Sequence, residues 1–203
     1  SDRSIFLGLA FLVAFWVQPV GPEQAGFAFG WMAWVFVRNW LLLLIVAGGL
    51  HYWFYGVDGQ GKLLKYDPRP YFKRKNALFK FGYQTWDNVY HSMMFGATFL
   101  SVLECFLRWS YASGLINTLS FSAHPVWFIA LFPVLALWQS LHFYVVHLAL
   151  HQPAIYKHVH AVHHRNVNTG PWSGMSMHPI EAFGYLSAIL IVLLLPSHPV
   201  HML

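Results

Sequence analysis

Charge is what this chain most conspicuously lacks. Asp, Glu, Lys and Arg make up 9% of its 203 residues, against about a quarter in soluble domains. With 57% hydrophobic and 19% aromatic residues, that scarcity excludes an ordinary soluble globule and indicates an integral membrane protein. Cysteine is nearly absent as well, and the single Cys105 in an apolar run rules out a disulfide framework or a cysteine-based metal site. Strand-like alternation, internal repeats and low-complexity segments are also missing. The expected class is therefore all-α, with about four to five transmembrane helices in a single membrane domain, 1–203. The formal net charge of +5 does not point to nucleic acid, because basic residues in so apolar a chain act as topology markers for insertion.

Five apolar runs are candidate spans: 5–20, 31–55, 88–109, 126–146 and 180–195. The second carries Arg38 and Asn39, and the third carries His91 and Glu104; polar groups at such depth face a protein interior or snorkel toward headgroups. Seven of the twelve Lys and Arg lie between residues 62 and 80, whereas 110–125 has none. The first region is therefore expected to be a cytoplasmic loop lying on an anionic leaflet, and the second to face outward. Counting crossings returns the chain to the cytoplasmic side after residue 146.

Chemistry concentrates at that point. Residues 142–178 hold eight of the thirteen histidines and no Cys, Asp or Glu, which makes imidazole the natural metal-binding group. His147 and His151 are four apart and share one helix face. His160, His163 and His164 form an HxxHH box in which 160 and 164 again share a face, while 163 is turned about 100° from 164. Gln152 and Pro153 break the helix between the boxes, so the chain is expected to fold into a histidine-rich hairpin at the cytoplasmic face. His178 is a candidate sixth ligand, and Glu181 a group that orients a ligand by accepting its N–H. His142 and His158 are out of phase with the boxes. Pro179 and Glu181 also suit the start of a helix.

The segments HLALH, YKHVHAVHH and RNVNTGPWSGMSMHPIEA, across residues 141–181, resemble the fatty acid hydroxylase superfamily, also called the sterol desaturase family. The resemblance implies a membrane enzyme with a dinuclear iron site at the cytoplasmic face, using O2 and an external electron donor to hydroxylate or desaturate lipids, sterols or carotenoids. Carried onto this chain, it implies His147, His151, His160, His163, His164 and His178 as metal ligands, with no catalytic residue beyond them and no further cofactor-binding residue. The chain departs from the family in two places. Leu148 stands where many relatives have Arg, and a third HxxHH box is not found, so the chain is expected to be C-terminally incomplete.

The leading expectation is thus an O2-dependent di-iron oxygenase with a redox partner protein. Such an imidazole site also accepts zinc readily. Two rivals come from other classes. One is a non-catalytic hydroxylase-like subunit that binds lipid or pigment, or packs in a larger membrane complex. The other is a bis-histidine haem protein, against which the clustering of histidines at one membrane face argues.

Overall fold

The computed structural model describes Gly8, Leu12 and residues 20–61 and 75–202. The expected first span, 5–20, and most of the basic loop therefore lie outside the described residues. Among the described residues the structure is helical, with one isolated bridge between Thr118 and Ser197 in place of any strand.

Among the described residues, three helices are long and apolar enough to cross a membrane. Helix α1, Phe29–His51, continues as a π-helical turn through Gly56. Helix α2, Gln84–His91, runs through a π-helical turn, Ser92–Ala97, into α3, Thr98–Ala112. Helix α4, Pro125–Leu150, contains Pro133. At 1.5 Å per residue, its 26 residues extend about 39 Å, enough for a hydrocarbon core of about 30 Å. Its exposed side chains include Leu137, Leu141, Tyr144 and Val145, the apolar exterior expected of a helix that faces lipid.

The last apolar run differs from the others. It forms α7, Pro179–Leu186, followed by a 3₁₀ stretch, Ser187–Leu194, and at 16 residues it is shorter than the other three. Because 3₁₀ geometry rises about 2 Å per residue, the whole segment still extends about 28 Å.

Two compact units divide the chain. The first comprises 1–35, 102–145 and 187–203. Its core packs Leu107, Tyr111, Ile116, Val192 and Met202 in one cluster and Leu119, Phe128, Leu131 and Val200 in another. Buried charge is neutralised within α3, where Arg108 Nε donates to Glu104 Oε1 at 2.7 Å. His201 accepts the His198 N–H at Nδ1 and uses Nε2 on the Phe128 carbonyl. Both ring nitrogens of this buried histidine are therefore committed to structure.

The second unit comprises 36–101 and 146–186 and contains the histidine hairpin. Leu150 ends α4, His151 and Gln152 form the turn, and extended Gln152 delivers Pro153 to the first position of a short helix α5, Pro153–Ile155. A π-helical turn, Tyr156–His160, then leads into α6, Ala161–His164. Leu150, Val159 and Tyr185 form the buried apolar cluster of the hairpin, flanked by Val146 and Met177. All three π-helical turns among the described residues lie in this unit, and such turns insert an extra residue into a helix and recur at functional sites.

Candidate metal centre

Helix periodicity places His147 and His151 on one face at the end of α4, and their Nε2 atoms approach to 2.9 Å. Across the hairpin, His160 and His164 repeat the pattern, with Nε2 atoms also 2.9 Å apart. The Gln152–Pro153 turn brings the two pairs together. Ring centroids of His147 and His151 lie 4.9 and 4.8 Å from that of His160. One ring nitrogen from each of the four histidines lies within 4.8 Å of the others. Tyr156 stacks on His151, centroids 5.6 Å apart, and walls one side of the group.

The outer ring nitrogens are held from α7. His160, fully buried, has Nδ1 2.7 Å from Oε1 of the equally buried Glu181. Tyr185, one turn further along the same face, places its hydroxyl 3.0 Å from His147 Nδ1. Each contact fixes its ring through Nδ1 and leaves Nε2 directed at the other imidazoles. A histidine held in this way at one nitrogen presents the other as a defined lone pair.

Burial holds His160 well below the ordinary histidine range, at about 4, and the neighbouring rings of His164, His147, His151 and His163 push in the same direction. At neutral pH it is an unprotonated donor. Crowded imidazoles, two of them held at Nδ1 by Glu181 and Tyr185, make a donor set that fits a divalent transition-metal ion.

The six sequence-derived candidates are not all gathered at this point. His147, His151, His160 and His164 converge. His163 stacks beside His160 with centroids 6.0 Å apart, but its Nδ1 turns to the Ser176 carbonyl at 3.3 Å. His178 lies outside the group, and its Nδ1 accepts the Ile180 N–H at 3.3 Å at the start of α7. Burial, followed by the nearby His91, lowers its pKa. His142 is placed against Ser187 Oγ, and His158 is exposed. His91 directs Nδ1 to the carbonyl of Asp87, 2.8 Å away.

Sequence reasoning missed Tyr185 and Tyr156. Tyr185 left a faint signal, since it follows Glu181 by four residues and so shares its helix face.

Fold and site together define a class: an all-helical membrane protein with imidazoles gathered at the end of a span. Comparison with known proteins narrows it. Residues 132–203 match the family model Fatty acid hydroxylase, and part of the chain is similar to sterol desaturases. The chain is similar to the probable Delta(7)-sterol 5(6)-desaturase of Neurospora crassa, 35% identical over 52 residues, covering 26% of this chain and 15% of the relative. It is also similar to the Delta(7)-sterol 5(6)-desaturase erg3B of Aspergillus fumigatus, 31% identical over 62 residues, covering 30% and 18%. The Gibberella zeae enzyme ERG3B is 35% identical over 51 residues, covering 25% and 15%. The chain thus spans less than a fifth of these curated relatives' length. No solved structure matches.

Proposed function

We propose that the protein is a membrane-bound, O2-dependent di-iron oxygenase that hydroxylates or desaturates the hydrocarbon of a lipid, sterol or carotenoid, drawing electrons from a redox partner protein. The observation that carries this reading is the convergence of His147, His151, His160 and His164, with nitrogens within 4.8 Å of one another, in a segment matched to the fatty acid hydroxylase family. These four would hold one iron ion, and His163 and His178 are assigned to the second. Bound iron would supply activation of O2 and attack on an unactivated C–H bond.

The chain's own residues prepare the site. Burial keeps His160 neutral near pH 7, so no proton has to leave that ring before it acts as a donor. Glu181 holds the His160 ring at Nδ1, and Tyr185 holds His147 in register through its Nδ1. Tyr156 shields one flank from water. The basic 62–80 segment, with the crossings that follow it, orients the histidines toward the cytoplasm, where a soluble electron donor has access.

The test has two parts. Full-length protein purified under activity-preserving conditions is expected to carry iron in a fixed ratio to the chain, and only traces of transition metal would refute the proposal. Replacing His160 and His163 together with Ala in the host is expected to abolish the product lipid or pigment. An unchanged profile with the variant still inserted would favour the rival reading, a non-catalytic subunit.

A further inference from the structure

The first turns of α2 present a row of polar side chains that the metal site does not use. Asp87, like Asn88 and Ser92, has no exposed surface. Its Oδ1 accepts the Lys80 N–H at 2.8 Å, and its Oδ2 takes a close contact from Arg165 Nη2. Arg165 directly follows His164 and caps the end of α6. Its guanidinium also donates from Nη1 to the Leu78 carbonyl at 3.1 Å and lies over the Phe79 ring at 5.5 Å. A carbonyl, an aromatic face and a buried carboxylate thus grip one arginine, which suits its planar fork of donors.

The rest of the face reinforces this grip. Gln84 donates to the Asn168 carbonyl at 2.7 Å, Asn88 accepts from Ser176 Oγ at 2.9 Å, and Ser92 donates to the Trp172 carbonyl at 2.7 Å. Residues 84, 88 and 92 are spaced one turn apart. Ser176 matters in particular, because its carbonyl receives His163 Nδ1 while its hydroxyl is held by Asn88. Both C-terminal histidines of the HxxHH box are therefore tied to α2, His164 through its neighbour Arg165 and His163 through Ser176.

We propose that Asp87 is a positioning residue for the second histidine box, acting through Arg165 to fix the end of α6 and with it the aim of His164. The inference rests on the metal-site reading above, and its test separates the two. Arginine in this place has to meet three partners at once, so a small displacement of the segment after His164 breaks the set. A carboxylate buried here without Arg165 would lose its compensating charge, so the two side chains act as one unit.

The experiment uses full-length protein in detergent, metal-free and then titrated with Co(II), whose absorption reports imidazole coordination. Asp87→Asn and Arg165→Met are each expected to weaken Co(II) about tenfold, the lower end of what loss of ligand-orienting partners costs. Their combination should be no worse than the weaker single variant, Arg165→Lys should recover part of the loss, and Lys75→Met, at an exposed lysine, should match wild type. In the metal-free protein, deuterium exchange should quicken over 161–168 in both variants and stay unchanged in α1 and α4. Additive losses, affinities within twofold of wild type, or a uniform rise in exchange across the helices would overturn the proposal. If wild type binds no Co(II), the metal reading fails instead, and exchange at 161–168 still decides whether Asp87 holds that segment.

Discussion

The contact between His160 and Glu181 offers the sharpest test of how the site is built. Both side chains have no exposed surface, and they meet at 2.7 Å. Replacing Glu181 with Leu keeps similar bulk and removes the partner that fixes His160 at Nδ1. The ring is then free to carry its proton on Nε2, the nitrogen aimed at His164, and in that form it cannot bind metal there. Loss of such an orienting partner costs roughly 10- to 100-fold in metal affinity, or about 1.4–2.7 kcal/mol at 1.36 kcal/mol per decade. Leaving the N–H buried and unpaired adds about 1–3 kcal/mol of lost stability, so affinity and unfolding temperature should fall together. Glu181→Gln retains an acceptor oxygen and should lie between Leu and wild type. Isothermal titration of the detergent-solubilised protein with Co(II), beside thermal unfolding, gives both quantities. A folded Glu181→Leu variant that binds metal within twofold of wild type would refute the reasoning.

Three further outcomes are expected. Tyr185→Phe removes one hydrogen bond to His147, worth about 0.5–1.5 kcal/mol, so the unfolding temperature of the metal-free protein should drop by a few degrees and metal affinity by up to roughly tenfold; thermal unfolding and competition with a calibrated chelator measure the two. His160 has a folded pKa of about 4, below its ordinary 6.5, so between these values the unfolded chain binds more protons. Measured in a Glu181→Gln background, so that the carboxyl paired with His160 does not titrate alongside it, stability of the metal-free protein should fall as pH drops from 6.5 toward 4; a flat unfolding midpoint across that window contradicts this. A Cβ on Gly96 would lie 2.8 Å from Met175 Cε and 3.2 Å from its Cβ, so Gly96→Ala should cost about 1–3 kcal/mol. Adding Met175→Ala should recover part of that loss in the unfolding temperature.

Composition alone determined the class of this protein. A chain with so little charge and runs of this length satisfies its backbone in lipid only as helices, and three span-length helices follow the apolar runs at 31–55, 88–109 and 126–146. Local spacing also determined that His147 faces with His151 and His160 with His164, because 3.6 residues per turn stack positions four apart. The run at 180–195 was less legible: apolar composition marks burial in lipid, but its change from α to 3₁₀ geometry leaves no simple sequence pattern.

Tertiary structure decided the rest. Periodicity says which rings share a face, but not which faces meet; that depended on the turn at Gln152–Pro153 and on α7 packing against the hairpin. Glu181 meets a histidine 21 residues away and Tyr185 one 38 residues away. His163, equal to its neighbours in the motif, is drawn aside by the Ser176 carbonyl. Asp87 reaches Arg165 across 78 residues of sequence. Each is a pairing of polar groups far apart in the sequence, with at least one partner buried or half-buried. No local pattern could anticipate it, because the partner is chosen by how the helices pack.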